Sequence, residues 1–326
     1  MTVQSRTPSS TIIAIIVIAA IVLIAAFLLL PRGGQPGATS SPTASASASP
    51  SESASESPSA SPSEVSPSTS ASGSGSVNEL TIEAADFKFG APAQTPAGVT
   101  RIVVKNVGQE EHQAQVARLA EGKTFADLTA ALQQPDPTAA LALLTLDGGP
   151  TGVAPGASVA TFSNLAPGQY ALLCFVESAD GTPHLAKGMI APLEVTGTAV
   201  DAPLPAGDAE LTLQDFAFTG VTSLAAGQHT VTVSNKGPQP HEATLVKLDE
   251  GTTVEQVVAA FTSAEQPSGP PPWTSAGGIA GIAAGTTAAM EVNVEAGDYA
   301  FICFVPDPGS GKPHAALGMV GAVTVK

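Results

Sequence analysis

Short alternations of apolar and polar residues run through the chain from residue 77 onward. Segments such as "LTIEA", "TVTVSN" and "YAFICF" are rich in Val, Ile, Thr and aromatic residues, and Gly and Pro separate them. This period of two predicts half-buried β-strands, and many short strands at such spacing are typical of a sandwich or barrel. The pattern therefore predicts an all-β protein.

Two segments have a helical period instead. In "TTVEQVVAAF" the apolar residues recur at i, i+3, i+4 and i+7, and Thr252 and Glu255 stand at the spacing of a capping box. In the earlier segment Phe125, Leu128 and Leu132 occupy the corresponding face. We predict one helix at each position, inserted among the strands.

The N-terminal part has a different character. Residues 11–30 form an apolar run of the length that crosses a bilayer as a helix, which is longer than the apolar core of a signal peptide. We predict an uncleaved transmembrane anchor after a short cytoplasmic N-terminus, residues 1–10. The Ser, Ala and Pro of residues 31–76 predict a disordered linker. A single-pass protein of the cell membrane with extracytoplasmic C-terminal domains is expected.

The formal net charge is −16 at neutral pH, with 12 Lys and Arg against 28 Asp and Glu. Nucleic acids and anionic lipid surfaces are bound by basic patches. The charge therefore argues against nucleic acid as a partner, and the membrane is expected to be contacted through the N-terminal helix.

The chain repeats itself. "ELTIEAADFKFG" recurs as "ELTLQDFAFTG", and "GQYALLCFVESADGTPHLAKGM" recurs as "GDYAFICFVPDPGSGKPHAALGM". Residues 77–196 are here called the first repeat and residues 209–326 the second repeat, joined by a linker at residues 197–208 that is rich in Pro and Gly. We predict that each repeat is a domain.

Residue types that bind metals recur in register. In each repeat a His precedes a Cys by 62 positions, a second His follows the Cys by 10 or 11, and a Met follows that His by 5. Two imidazoles, a thiolate and a thioether suit copper in both of its common oxidation states. The candidate ligands are His112, Cys174, His184 and Met189, and His241, Cys303, His314 and Met319.

Simpler interpretations exist for each residue alone. A Cys on an apolar strand is often a buried small hydrophobe, and a Met is often part of a core. Two Cys in an extracytoplasmic chain also suggest a disulfide, which requires Cα atoms within about 7 Å. The recurrence of all four residue types at matching offsets favours a metal site in each repeat.

The motifs resemble those of a known family. N-x-G-x-x-x-H, G-x-Y-x-x-x-C and P-H-x-x-x-G-M occur in this order in both repeats and closely resemble the cupredoxins, or blue copper proteins. The resemblance implies two tandem Greek-key β-sandwich domains, each with one type 1 copper ion. It also implies a trigonal set of His112, Cys174 and His184 with Met189 axial, and the equivalent set of His241, Cys303, His314 and Met319.

The chain departs from the family at two points near the first His. The next residue is Gln113 or Glu242, where small blue copper proteins commonly have an Asn that braces the ligand loop. Glu110 and Glu111 stand beside His112, whereas the second repeat has the neutral "GPQPH". We expect the two sites to differ in potential or affinity.

The resemblance implies an electron carrier between redox partner proteins that the sequence does not identify. Copper capture or buffering outside the cell needs the same ligands and stays open. A multicopper-oxidase-like or nitrite-reductase-like enzyme would need further histidines, and only His229 is unassigned, so we expect no catalysis. A surface module with vestigial sites is the remaining alternative, and the oligomeric state stays open.

Overall fold

The computed structural model describes residues 77–134, 138–200, 202–263 and 270–326. The predicted cytoplasmic N-terminus, anchor and linker (residues 1–76) lie outside this part of the chain. Within the described residues no helix combines the length and the apolar character needed to cross a membrane.

Strands dominate the described residues, as the alternating pattern predicts. The strands that begin in the first repeat are β1 (Asn78–Ala85), β2 (Lys88–Gly90), β3 (Gln94–Asn106), β4 (Gln115–Leu119), β5 (Leu144–Leu146), β6 (Ser158–Leu165), β7 (Gly168–Leu173) and β8 (Ile190–Val200), the last of which extends into the predicted linker. The strands that follow are β9 (Ala209–Gln214), β10 (Ala217–Gly220), β11 (Ser223–Leu224), β12 (Gly227–Asn235), β13 (His241–Leu248), β14 (Trp273–Ile282), β15 (Thr287–Val294), β16 (Gly297–Ile302) and β17 (Val320–Val325). The helices are α1 (Phe125–Leu132), α2 (Thr138–Leu141) and α3 (Val254–Thr262), and a 3₁₀ turn spans His314–Leu317.

In the first repeat the long strand β3 joins two layers. Its first residues pair with β8, which continues through β7 and β4 to β5, and its later residues pair with β1 and β6. Alternate residues of these strands face one another across a shared core that contains Ile82, Ile102, Tyr170, Leu172 and Leu193. Period-two burial of this kind is what the sequence pattern requires.

In the second repeat the two layers are separate sheets. One runs in the order β10-β9-β12-β15 and the other in the order β11-β17-β16-β13-β14. Leu211 and Val231 from the first layer and Leu245, Phe301 and Val323 from the second are buried in one cluster. The prediction of an all-β chain is thus confirmed in outline, while the Greek-key topology and the domain limits stay predictions.

The two repeats also contact each other. β6 pairs antiparallel with β15, with Thr161 opposite Met290. Arg101 makes a two-pronged contact with the Glu291 carboxylate, at 3.1 Å from Nε and 2.6 Å from Nη2. The Gln115 side chain donates to the Gly281 carbonyl at 2.9 Å. One continuous sheet therefore passes from one repeat into the other.

Both long helices occur where the helical period predicts them, and each buries one apolar face against its neighbouring sheet. The predicted cap of the second is wrong by one residue, because the N-cap is Thr253 and its partner at N3 is Gln256. The Thr252 amide is occupied by the Asp249 carbonyl at 2.9 Å. Thr252 therefore belongs to the turn before α3, and helix geometry starts after it.

Candidate metal centres

Three candidate ligands of the first repeat meet at one end of its sheets. One ligand atom from each of His112, Cys174 and His184 lies within 4.8 Å of the other two, and all three residues are buried. His112 Nδ1 is 3.1 Å from His184 Nδ1, and Cys174 Sγ is 3.4 Å from His184 Nδ1. The cluster joins residues that are far apart in sequence.

The strand ends explain this meeting. Cys174 directly follows β7, and its amide bonds to the Met189 carbonyl. His112 precedes β4 and exchanges both backbone hydrogen bonds with Val153, at 3.1 and 3.0 Å. The His184 amide donates to the Val176 carbonyl at 2.8 Å. Backbone hydrogen bonds therefore fix the main chain at all three ligand residues.

Two residues of the first motif have structural roles. The Asn106 side chain donates to the carbonyls of Glu110 and Val153 at 2.7 and 2.8 Å, and its oxygen accepts the Gly108 amide at 2.8 Å. A Cβ atom on Gly108 would lie 2.3 Å from Asp86 Oδ1 and 2.8 Å from His112 Nε2. Only glycine lets the turn pass this closely over the ligand.

Carboxylates hold the far side of both imidazoles. His112 Nε2 is 3.0 Å from Asp86 Oδ1, and His184 Nε2 is 3.0 Å from Glu110 Oε2. The amides of Gln109 and Glu110 also donate to Asp86, and the Gln109 bond is the largest cause of its lowered pKa. An ionised carboxylate only accepts, so each Nε2 carries the proton and each Nδ1 presents a lone pair.

The second repeat has the same arrangement. His241 Nδ1 is 2.9 Å from His314 Nδ1, and Cys303 Sγ lies 3.4 Å from His314 Nδ1 and 4.0 Å from His241 Nδ1. His241 Nε2 is 2.6 Å from Asp215 Oδ1. His314 Nε2, however, is 3.1 Å from the amide oxygen of Gln239. The two clusters thus differ in the partner of the second His.

Both candidate methionines lie beside these clusters. Met189 and Met319 are fully buried, each in the same core cluster as the Cys of its repeat. The Met189 amide donates to the His184 carbonyl at 2.9 Å, and Met319 bonds to His314 in the same way. Their predicted role as axial ligands, like the full ligand sets, stays a prediction.

Burial opposes charge on the ligands themselves. It raises the pKa of the Cys174 thiol to about 12 and also raises that of Cys303. It lowers the pKa of His112 and His241, and together with His241 it lowers that of His314 to about 4. Burial therefore favours the neutral thiols and the neutral forms of His112, His241 and His314, and a bound cation would have to displace the thiol proton.

The residue after the first His also contacts the Cys. The amides of Gln113 and Glu242 lie 3.5 and 3.4 Å from Cys174 Sγ and Cys303 Sγ. The buried Glu242 carboxyl accepts the Phe304 amide at 2.8 Å, and burial raises its pKa to about 7. Glu242 thus braces the ligand loop in place of the Asn that the family resemblance leads one to expect.

Sequence reasoning missed Asp86 and Asp215, Glu110 as the partner of His184, and Gln239 as the partner of His314. A signal for the aspartates was available, because an Asp-Phe pair precedes the first His by 26 positions in both repeats. The Phe rings after these aspartates, Phe87 and Phe216, pack on the second His of each cluster at 5.0 and 4.8 Å between centroids.

Other predictions concern residues outside the clusters. Cys174 and Cys303 are free thiols in separate cores, which excludes the disulfide interpretation. His229 bonds to the Asp208 carboxylate and to the Ala225 carbonyl, and so lies away from both clusters.

No protein-family model matches the chain, and no curated protein matches it. Solved structures of similar arrangement include the reduced auracyanin of Roseiflexus castenholzii, at 22% identity over 36% of this chain and 94% of that chain, with a TM-score of 0.25. Auracyanin A of Chloroflexus aurantiacus, described as a "blue" copper protein, is 27% identical over 36% of this chain and 96% of its own, with a TM-score of 0.24. A multicopper oxidase is 15% identical over 77% of this chain and 89% of its own, with a TM-score of 0.23.

Because these TM-scores are low, the assignment of a metal depends on the residues of the two clusters. In each cluster two imidazole nitrogens and one sulfur lie within 4.8 Å of one another. The sulfur is a soft ligand and the imidazoles are borderline ligands. Such a set fits a blue copper site, and copper is the metal that it suits. Facing lone pairs about 3 Å apart repel each other unless a proton or a metal cation lies between them, so this arrangement is compatible with a bound metal.

Proposed function

We propose that the chain is a membrane-anchored, extracytoplasmic copper protein of two tandem cupredoxin-like domains that carries single electrons between redox partner proteins. The anchor and the location are supported by the apolar run at residues 11–30 and the linker that follows it. The domains are supported by the sequence repeat and by the two separate main cores.

The observation that carries the proposal is the pair of facing Nδ1 atoms, found twice. Asp86 and Glu110 fix the tautomers in the first cluster, so His112 and His184 direct lone pairs at the same point as Cys174 Sγ. A merely structural His pair would be more stable with one Nδ1 protonated as a donor to the other. Here both Nδ1 atoms instead lie close to the Cys sulfur with their lone pairs free to bind a metal.

Copper, when bound, supplies a Cu(II)/Cu(I) couple that exchanges one electron. His112, Cys174, His184 and Met189 would hold it in the first repeat, and His241, Cys303, His314 and Met319 in the second. The chain's contribution is rigidity, because the backbone hydrogen bonds of the cluster and the burial of every ligand would limit movement of the ligands when the oxidation state changes. Burial also keeps water away from the ligands.

The test is the visible spectrum and metal content of the full-length chain, purified in detergent and loaded with Cu(II). We expect an intense thiolate-to-copper band and about two copper ions per chain, one for each His/Cys/His set. Cys174→Ser and Cys303→Ser should each remove about half of the band, and the double variant should remove all of it. A chain that stays colourless and metal-free would refute the proposal.

Electron transfer and copper buffering are separated by a second measurement. A carrier is expected to cycle repeatedly between its oxidised and reduced forms with its copper content unchanged under dialysis. A buffer is expected to keep Cu(I) tightly but to lose the band, or the metal, on reoxidation. Retention of both ions through several cycles would support the carrier.

A further inference from the structure

The partners of the second His differ in charge between the two sites. In the first repeat Glu110 Oε2 accepts from His184 Nε2 at 3.0 Å, and in the second Gln239 Oε1 accepts from His314 Nε2 at 3.1 Å. The two acceptors occupy equivalent positions, each two residues before the first His of its repeat. The hydrogen bond to Nε2 has nearly the same length in both sites, and its acceptor changes from a carboxylate to a neutral amide.

Two other charged groups near the sites reduce this difference, Lys187 beside Glu110 and Asp307 near His314, but neither is hydrogen-bonded to an imidazole Nε2. Asp86 and Asp215 contact His112 Nε2 and His241 Nε2 at 3.0 and 2.6 Å, so each site has one carboxylate behind its first His. Glu111 contacts neither imidazole and lines a cavity with Trp273 and Ser275 of the second repeat. The Gln239 amide nitrogen donates to Asp307 at 3.1 Å, which orients its oxygen toward His314. Gln239 is thereby held in the role that Glu110 has in the first repeat.

A carboxylate behind an imidazole makes that ligand more basic and adds negative charge near the metal. Both effects favour Cu(II) over Cu(I), because a nearby negative charge attracts an ion with two positive charges more strongly than an ion with one. Glu110 is partly exposed, with 35% of its side chain accessible, so water weakens the effect without removing it.

We propose that Glu110 and Gln239 make the two sites unequal, so that Cu(II) is favoured in the first repeat and Cu(I) in the second. Glu110 and Gln239 are positioning residues that act through His184 and His314. An electron delivered by the redox partner then resides in the second repeat, with no bond made or broken. This inference depends on the proposed function, because both sites must bind copper.

The test uses the full-length, copper-loaded chain with one site silenced at a time. In the Cys303→Ser background only the first site gives the thiolate band, and in Cys174→Ser only the second does. Each variant is titrated with a one-electron mediator series, and the midpoint potential is obtained from the band and from the Cu(II) signal in electron paramagnetic resonance. Neither readout depends on activity with a partner.

We expect the Cu(I)-to-Cu(II) ratio at a fixed potential to be at least tenfold lower in the first site, which corresponds to about 59 mV for one electron. Glu110→Gln should raise the first potential toward that of the second, and Gln239→Glu should lower the second. The control Glu121→Gln removes one exposed charge from the first repeat away from the site. Its effect should be within twofold.

Two carboxyls of the second repeat oppose the difference, Asp307, which accepts from Gln239, and Glu242, whose amide lies 3.4 Å from Cys303 Sγ. The variant Glu242→Gln gives the second site the amide that Gln113 supplies in the first, and the tenfold difference should persist or grow in it. Equal potentials, a higher potential at the first site, or no shift in Glu110→Gln would each overturn this inference and leave the proposed function intact. If neither site shows a thiolate band, the proposed function fails and this inference fails with it.

Discussion

Removal of Asp86 tests whether the carboxylates behind the imidazoles prepare the metal site. The Asp86 carboxylate accepts from His112 Nε2 at 3.0 Å and from the amides of Gln109 and Glu110. In Asp86→Ala the buried His112 Nε2–H loses its acceptor, which costs about 1–3 kcal/mol in folding free energy. The aspartate side chain is 27% exposed, so water can take its place in part and the lower end of this range is expected.

The same change should weaken copper binding. Loss of an outer partner of a ligating His typically lowers metal affinity about 10–100-fold, or about 1.4–2.8 kcal/mol. His112 would be free to adopt the other tautomer, which blocks Nδ1 with a proton. We expect a loss of this size at the first site and none at the second, where Asp215 is intact.

The assay is competition for Cu(I) with a chromophoric chelator, in the Cys303→Ser background for the first site and the Cys174→Ser background for the second, alongside urea unfolding of the metal-free chain. Asp86→Asn retains an acceptor oxygen and should keep most of the affinity, whereas Asp249→Ala removes an exposed carboxylate elsewhere and should change nothing. Affinity of Asp86→Ala within twofold of the unchanged chain would refute the argument that Asp86 fixes the tautomer.

Three further outcomes are expected. Gly108→Ala should impair copper binding at the first site and leave the second unchanged in a metal titration, because the new Cβ would collide with the Asp–His contact. Thr253→Ala should lower the free energy of unfolding in urea by about 1 kcal/mol, whereas Thr252→Ala, one residue before the cap, should leave it nearly unchanged. The pKa of His229 is raised, chiefly by the Ala225 carbonyl, so its contribution to stability is complete below about pH 6.5 and lost as the pH rises through the higher folded pKa. Unfolding measured from pH 6 to 9 should show this loss in the native chain and not in His229→Gln.

The sequence supports the prediction of the strands and of the ligand clusters because both depend on spacing. Alternation reports which face of a strand is buried, and the repeat shows that a His, a Cys and a second His keep their offsets while their surroundings change. The structure brings His112, Cys174 and His184 together, although the first is 62 positions from the second.

The sequence alone does not predict the hydrogen-bond partners of the ligand imidazoles. Glu110 is one of 28 acidic residues, and nothing local distinguishes it from a solvated surface charge, while Asp86 is marked only by the Asp-Phe pair that recurs before the first His of each repeat. Their role appears only when β1 and the turn before β4 are seen to converge on the same imidazoles. For the same reason Glu111, which is next to His112 in sequence, turned out to face the second repeat, whereas Glu110 contacts the distant His184.

The pairing of β6 with β15 has a consequence for the ancestry of the chain. The repeats are offset by 129 residues, so Thr161 and Met290 are equivalent, and they stand directly opposite each other in the antiparallel register. Pro150 and Ile279, also equivalent, face each other in an isolated bridge. The contact therefore has an approximate twofold axis, the symmetry of a homodimer that pairs one strand with its own copy.

A chain with a single repeat would expose that strand edge, which is a template for pairing with a second copy in a homodimer. In such a homodimer both copper sites would be identical by symmetry, because one gene encodes both. Fusion of the two copies removes this constraint, and Glu110 could then diverge from Gln239 without any change at the twofold contact. The internal symmetry of the sheet thus matches that of an equal pair, and a single chain that carries both repeats allows the two sites to differ.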